Sequence, residues 1–226
     1  MERQSARPRR TLCFLFVLAR AEAQHSVRAG WPAERRISGC FPGDMGDYPR
    51  HVQLKHKGEP DGGDGAQVVL RRLRHEEIGA LAQSLAGDPT EAQLENRWRE
   101  QQVGFRELLV AEVDGALVGT VSISETELLP RALHLFALEV APPWRNRGIG
   151  ASIVRQVVSE AKRRRRGRVY LEVRVDNPAR RLYHRLGFRR LGEPFVNPWW
   201  RYLDDGRQER VEELSLRMVR RVTLRD

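Results

Sequence analysis

A short stretch near the middle of the chain has the composition of a phosphate cradle. In Leu138-Glu139-Val140-Ala141-Pro142-Pro143-Trp144-Arg145-Asn146-Arg147-Gly148-Ile149-Gly150-Ala151 a strand pattern ends, two prolines break it, and a helical pattern begins. A helix N-terminus exposes unpaired N–H groups and the positive end of its dipole, and glycine lets an anion reach the backbone with no Cβ in the way. Gly148 and Gly150 stand where that freedom is needed. Pro142 and Pro143 fix the turn, and Arg145 and Arg147 add cations suited to a polyphosphate. Two other phosphate-binding plans fail on particular residues. The dinucleotide fingerprint needs G-x-G-x-x-G, and only Gly148-Ile149-Gly150 is present. The P-loop needs Gly-Lys-Ser/Thr, a triplet the chain lacks.

Other chemistries are excluded by residue type. The two cysteines, Cys13 and Cys40, both fall in the first fifth of the chain, so the remainder has neither a thiolate nucleophile nor a disulfide framework. With no CxxC pair, no HExxH helix and dispersed histidines, no metal site is expected.

The elements that must hold the turn can be read from periodicity. Gln67 to Leu73 alternates as a strand, and His75 to Leu85 places Ile78, Leu81, Ala82 and Leu85 at helical spacing. A second helix starts at Pro89-Thr90 and runs to Val103. Strands at Glu107 to Val113 and Ala116 to Ser124 meet at Asp114-Gly115, a hairpin signal. Leu133 to Val140 is a strand, Gly148 to Arg166 a long helix and Arg168 to Val175 a strand, a unit that requires a parallel pair. Asn177 to Leu186 forms a short helix stopped by Gly187. Phe188 to Leu191 and Leu214 to Val222 supply the last strands, around a loop holding Trp199, Trp200 and Tyr202. The expected fold is α/β in the mixed sense, a central and mostly antiparallel sheet with helices on both faces.

Arg145-x-x-Gly148-x-Gly150 resembles the R/Q-x-x-G-x-G/A acetyl-CoA signature of the GNAT superfamily. Leu138-x-Val140-x-Pro142 resembles the strand ending that precedes it. Asn177-Pro178-Ala179-Arg180-Arg181-Leu182-Tyr183-His184-Arg185-Leu186-Gly187-Phe188 resembles the second motif, with Asn177 one residue closer to Ala179 than in many members. Leu171-Glu172-Val173-Arg174 is locally similar to bacterial ribosomal-protein N-terminal acetyltransferases. The resemblance covers Gln67 to the C-terminus and implies a GNAT fold with one splayed parallel strand pair. It also implies acetyl-CoA as cosubstrate and direct transfer of acetyl to a primary amine in a ternary complex.

The resemblance further implies that acetyl-CoA is held by Leu138, Val140, Arg145, Asn146, Arg147, Gly148, Ile149, Gly150, Ala151, Asn177 and Tyr183. The backbone from Leu138 to Val140 would pair with the pantetheine arm, and an N–H near Val140 would meet the oxyanion. Acyl transfer to an amine also needs a proton for the departing thiolate and a base for the amine. Tyr183 is the implied donor, a phenol protonated across neutral pH. Glu172 is the first candidate base, Glu139 the second and His134 the third. Each carboxylate has an alternative role as a partner for nearby arginines, and a water relay with no dedicated base is a further option. Simple alternation puts His134 on the face of Leu138 and Val140, and Glu139 on the other.

The acceptor side is expected to be built by the two helices of His75 to Val103 and by the Glu193 to Arg210 loop. Glu76, Glu77, Glu91, Glu95 and Glu100 would draw a cationic amine there or, as exposed helix faces, pair with Arg97 and Arg99. Candidate acceptors are a protein N-terminus or lysine, an aminoglycoside, or a small polyamine or amino-acid amine. Assembly as monomer or homodimer is open.

Forty Lys and Arg against thirty Asp and Glu give the 226 residues a net charge of +10. That excess suits phosphate-bearing partners. A rival reading is therefore a nucleic-acid-binding protein using Lys162 to Arg166 and the basic N-terminus, but no recognition helix or stacking aromatics accompany the run. A second rival is a non-catalytic acyl-CoA sensor, against which the retained Tyr183 argues. No apolar run reaches the roughly 20 residues of a membrane span. Residues 1–65 read as an extension ending in a Gly-rich linker, with 66–226 as the domain. Within the extension, Arg7, Arg9, Arg10, the run Leu12 to Ala19 and Ala21-Glu22-Ala23 sketch an export signal. Arg20 interrupts that pattern, and the implied acetyl donor is a cytoplasmic metabolite, so a cytoplasmic location is the expectation.

Overall fold

The computed structural model describes residues 67–125 and 128–224, so the extension expected over 1–65 lies outside the described residues. Strand β1 (Val69–Arg72) leads through a 3-10 turn (His75–Glu77) into α1 (Ile78–Ser84) and then α2 (Glu91–Gln102). Thr90 caps α2 as the spacing predicts, its hydroxyl accepting the Gln93 N–H at 3.1 Å. Strands β2 (Glu107–Val113) and β3 (Ala116–Glu125) turn at Asp114 and Gly115, whose φ values of 48° and 83° are what a tight two-residue hairpin demands. There follow β4 (Ala132–Val140), α3 (Ile149–Arg163), β5 (Arg168–Arg174), α4 (Arg180–Arg185), β6 (Arg189–Arg190), β7 (Phe195–Tyr202) and β8 (Gln208–Arg221).

The strands form one sheet in the order β1-β2-β3-β4-β5-β8-β6, with β7 also on β8. Among them β4–β5 is the parallel pair, and it is brief: Ala132↔Arg168, Leu133↔Val169, His134↔Tyr170. Beyond that rung both strands continue unpaired with each other, which is the expected splay. Alternation in β2 separates two cores. Leu109, Ala111 and Val113 join Ile153, Val154, Val157 and Ala161 of α3, while Leu108 and Val110 join Ile78, Leu81 and Leu94 of α1 and α2. Helices therefore cover both faces.

Two expectations are corrected. The segment holding Trp199, Trp200 and Tyr202 is not a loop: Phe195 to Tyr202 pairs in full register with Ser215 to Gln208. Asn197-Pro198 reads as a turn signal, yet β7 pairs with β8 alone, and an edge strand accommodates a proline while Trp and Tyr favour strand geometry. The alternation of β4 also breaks. The β3–β4 register slips between Thr120 and Ser122, and Ala137 sits at φ 49°, so an extra residue bulges out of β4. Leu133 and Leu135 before the bulge, and Leu138 and Val140 after it, all pack on the α3 side. His134 and Glu139 consequently share the opposite face, where simple alternation had separated them.

Candidate active site

The turn after β4 forms as its composition requires. Pro142–Trp144 makes a 3-10 turn, Asn146 and Gly148 take φ of 61° and 83°, and Gly148 becomes the N-cap of α3 with no side chain capping the helix. Ser152 is the first residue to donate back, to Gly148 O at 3.0 Å, which leaves the N–H groups of Ile149, Gly150 and Ala151 without intrahelical acceptors. A Cβ on Gly148 would meet nothing within 4 Å, so the space above it is open. Arg145 folds back to donate from Nε to Val140 O at 2.9 Å, and Arg147 lies over the Trp144 ring at 5.5 Å. The turn is thus exposed from Arg145 to Gly148, and the free donors of Ile149, Gly150 and Ala151 follow in the more buried first turn of α3.

The second motif packs beside the first. Leu182 Cδ2 would lie 3.5 Å from a Cβ on Gly150, and Val140 Cγ2 would lie 3.8 Å from it, which brings β4, α3 and α4 together at one point. Tyr183, 7% exposed, meets Phe188 edge-on at 5.9 Å. Burial, and secondarily the charge of Glu139, push its phenol up to about 12. The phenol is therefore protonated across neutral pH. Asn177 is turned inward on its own loop, its Oδ1 accepting the Ala179 N–H at 2.8 Å, so that oxygen anchors the start of α4.

Neither candidate carboxylate base stands alone. Arg97 of α2, 7% exposed, forks onto Glu139, Nη1 to Oε2 at 3.1 Å and Nη2 to Oε1 at 2.9 Å. Arg217 of β8 donates from Nε and Nη2 to Glu172 Oε1 at 3.1 and 2.7 Å, across the rung where the two residues pair. His134 lies flat against Tyr170, ring centroids 4.4 Å apart, and against Phe136 at 4.5 Å, on the last rung before the splay. The arginine-partner alternative therefore describes both glutamates as they stand.

Most of the helix glutamates find partners too, though not those expected. Glu77 pairs with Arg71 and Arg74, Glu95 with His75, and Glu100 with Arg106. Arg97 is taken by Glu139. Three cations of the Lys162 to Arg166 run are likewise engaged: Arg163 and Arg164 with Glu160, Arg164 also with Glu107, and Arg166 with Glu125. A run so compensated offers little free charge to a nucleic-acid backbone.

Sequence reasoning missed several residues that shape the site. Gly119 is one: a Cβ there would fall 2.6 Å from Glu139 O, so only glycine admits the bulged β4. An isolated glycine inside a strand pattern, and the phase break from Leu135 to Leu138, were the available signals. Arg106 is another, and Arg97 was named only as a partner for the helix glutamates, not for Glu139. Arg106 donates to Ser122 Oγ at 3.2 Å and lies over Phe136 at 4.6 Å. The β7–β8 hairpin is tied to α2 by Thr90 Oγ1 donating to Tyr202 O at 2.8 Å, Tyr202 N–H to Gln93 Oε1 at 2.7 Å, and Ala92 N–H to Asp204 Oδ1 at 3.0 Å. Among the described residues, no group of three or more His, Cys, Asp or Glu is arranged to hold a metal, and no helix is long and apolar enough to cross a membrane.

A splayed parallel pair feeding a bare helix N-terminus, with a buried tyrosine beside it, defines an acyltransferase-like architecture. The chain belongs to the acetyltransferase (GNAT) family, whose model matches residues 72–188, just over half of the sequence. It is similar to N-acetyltransferase 8B of Homo sapiens, 33% identical over 99 residues that make up 42% of this chain and 44% of the human protein. It is also similar to the N-alpha-acetyltransferase RimI of Mycobacterium tuberculosis, 39% identical over 84 residues, 36% of this chain and 51% of that protein. The chain thus spans about half the length of the curated relatives it matches. A spermidine N-acetyltransferase from Vibrio cholerae, solved in complex with CoA and spermine, shares the fold with a TM-score of 0.54 over 70% of this chain and 97% of its own, at 18% identity.

Proposed function

We propose that this protein is an acetyl-CoA-dependent N-acetyltransferase that passes the acetyl group directly to a primary amine in a ternary complex. The observation that carries the reading is the Gly148 turn, where the open space above Gly148 adjoins three N–H groups without intrahelical acceptors and two arginines, beside the splayed end of β4. This donor set fits a pyrophosphate. The family match and the CoA-bound neighbour support the same choice. Arg145, Asn146, Arg147, Gly148, Ile149, Gly150 and Ala151 would hold the phosphates, and the backbone of Leu138 to Val140 the arm. Asn177 contributes by fixing the α4 turn.

Acetyl-CoA supplies an activated acyl group as a thioester. The amine nitrogen forms a bond to the acyl carbon, the carbon–sulfur bond breaks, the amine gives up a proton, and the thiolate gains one. Tyr183, beside the cofactor turn, gives the thiolate its proton and regains one through solvent as the amine releases its own. An N–H near Val140, in the length of β4 no longer paired with β5, steadies the developing oxyanion. Removing the amine's proton falls to water or to a carboxylate. Glu172, Glu139 and His134 are the candidates, the two carboxylates each held by one arginine.

Calorimetric titration with acetyl-CoA, CoA and NADH tests the reading, beside Gly148→Glu and Gly148→Asn. Asparagine tolerates the left-handed backbone that glutamate strains, which separates fold from charge. Binding of both CoA ligands by the wild type and by Gly148→Asn, but not by Gly148→Glu, is expected. A folded wild type that ignores them overturns the proposal.

A further inference from the structure

The end of the sheet remote from the Gly148 turn holds a second cluster of positive charge, one for which the transfer reaction has no use. Strands β4 and β5 start there and β8 finishes there, so cluster and turn stand at opposite ends of β4, roughly 25 Å apart at about 3.3 Å per residue. Arg168 opens β5 directly across from Arg221 of β8, and Ala132 pairs with Arg168 from the other side, with Arg131 immediately before it. A cleft of about 510 Å³ lies over this edge, with the three arginines, Gly167 and Thr223 in its lining and Pro130 and Leu224 as apolar walls. Two features of the cluster work against the fold. Like charges directly opposite one another on neighbouring strands destabilise a sheet, and Arg168 and Arg221 are such a pair. Arg131 takes φ of 59°, a left-handed conformation that is costly for a residue with a Cβ. Among the described residues no carboxylate relieves them. The three guanidinium groups enter no ion pair, whereas Arg163, Arg164 and Arg166 just before β5 are matched by Glu160, Glu107 and Glu125. Strain and repulsion with no return in packing are of the kind that folds keep at ligand sites.

We propose that this cleft binds a small phosphate-bearing molecule, at a site separate from the acyl-donor turn. Guanidinium forks match the oxygens of a phosphate in pairs, and a phosphate monoester carries roughly −1.5 to −2 charges at neutral pH, which offsets most of the charge of three arginines where a single carboxylate would not. The Thr223 hydroxyl adds a further donor. Space for the anion lies over Gly167, where a Cβ would meet nothing within 4 Å, and the Val222 N–H fixes β8 beside that opening by donating to Gly167 O at 2.9 Å. Pro130 and Leu224, the latter 40% exposed, offer apolar surface to the rest of the ligand. The volume falls within the ~300–1,000 Å³ usual for small-ligand sites. A nucleic-acid strand fits less well, because successive phosphates need a groove of charge that follows the backbone, and the adjoining Arg163, Arg164 and Arg166 are already paired.

Phenyl phosphate, which joins one phosphate to one apolar ring, is the probe, titrated calorimetrically into the full chain with CoA at saturation so that the donor turn is occupied. The wild type should bind one molecule per chain, more tightly than it binds inorganic phosphate. Affinity should fall by about tenfold or more in Arg168→Gln/Arg221→Gln, which loses two charge-assisted contacts, and in Gly167→Glu, which sets a carboxylate in the open space with no backbone clash. Gly167→Ala should bind as the wild type does, and CoA affinity should stay within about twofold in every variant, as expected of distant sites. Thermal unfolding gives a second readout. Without phosphate the double arginine variant should be the more stable protein, freed of its like-charge pair, and phenyl phosphate should raise the transition of the wild type alone, against sodium chloride at equal ionic strength. A wild type with no saturable binding overturns the proposal, and so does binding that the double variant and Gly167→Glu retain. Should a single-stranded RNA oligonucleotide bind more tightly than phenyl phosphate and lose that binding in the same variants, the small-molecule assignment fails and the cleft belongs to a nucleic-acid surface. A chain that ignores CoA counts against the acetyltransferase reading alone, since the variants locate the phosphate site either way.

Discussion

The two sides of the splayed strands are built on different physics. On the α3 side the working groups are backbone N–H donors at a helix start, set by glycines and prolines and backed by an apolar core of Ile149, Ile153, Val154 and Tyr183. On the α1–α2 side they are long charged side chains in matched pairs, with His134, Phe136 and Tyr170 stacked among them. The first arrangement depends on what lies next to what in sequence. The second depends on which strand and which helix come together, with partners 42 and 45 residues apart. A fold organised this way can keep its donor site while the acceptor side changes by exchange of single charges.

The sharpest way to break that contrast is to put a charge into the backbone site. Gly148→Glu should weaken acetyl-CoA by more than ~100-fold, about 2.7 kcal/mol, because a carboxylate then faces the pyrophosphate beside three N–H donors. Tyr183→Phe comes next. It should lower kcat by about 100-fold, the lower range for loss of a general acid, while acetyl-CoA affinity measured by titration stays within twofold. Equal loss in both would reassign Tyr183 to packing against Phe188.

Gly119→Ala probes the seam between the two sides. The added methyl meets the Glu139 carbonyl at 2.6 Å, a backbone atom that cannot step aside without moving the bulge. A loss of about 1–3 kcal/mol in denaturant unfolding is expected, the usual cost of overpacking. Because the bulge also orients Glu139 and Val140, kcat should fall in the protein that remains folded. Unchanged stability would mean that β4 can flatten, and that the shared face of His134 and Glu139 is not fixed.

The same contrast explains what the sequence made legible. The turn, the hairpin at Asp114-Gly115, the parallel pair and the α3 stripe were readable because glycine, proline and apolar spacing act on near neighbours. The β4 bulge was not read because Ala137, unlike glycine, gives no warning of a positive φ; the warning lay at Gly119 on the neighbouring strand. Strand β7 was missed because Pro198 is a breaker everywhere except at an edge, and nothing local says that Phe195 to Tyr202 would be one. Glu139 and Glu172 were picked out as ionisable groups near the chemistry, but their arginines come from α2 and β8, which no spacing rule connects to them.

The smallest expected effect concerns acid, which should loosen the charge-paired side before the backbone-built one. Glu77 receives hydrogen bonds from the Arg71 and Arg74 side chains and from the Arg74 N–H. Burial alone would raise its carboxyl, but these partners outweigh it and hold the group down to about 2, from an ordinary 4.5. A folded value below the unfolded one means that the ionised form supports the fold. That contribution is complete above pH 4.5 and is lost as the pH falls through about 2. Glu77→Gln should therefore be less stable than the wild type at neutral pH, and the gap should close on acidification across that window. Hydrogen exchange should show the β1–α1 junction opening first in the wild type as Glu77 protonates, while the hydrogen-bonded amides of α3 from Ser152 onward stay protected by the helix's apolar packing. If the α3 turn opened at the same pH, the two sides would be one cooperative unit, and the acceptor side could not vary independently of the donor site.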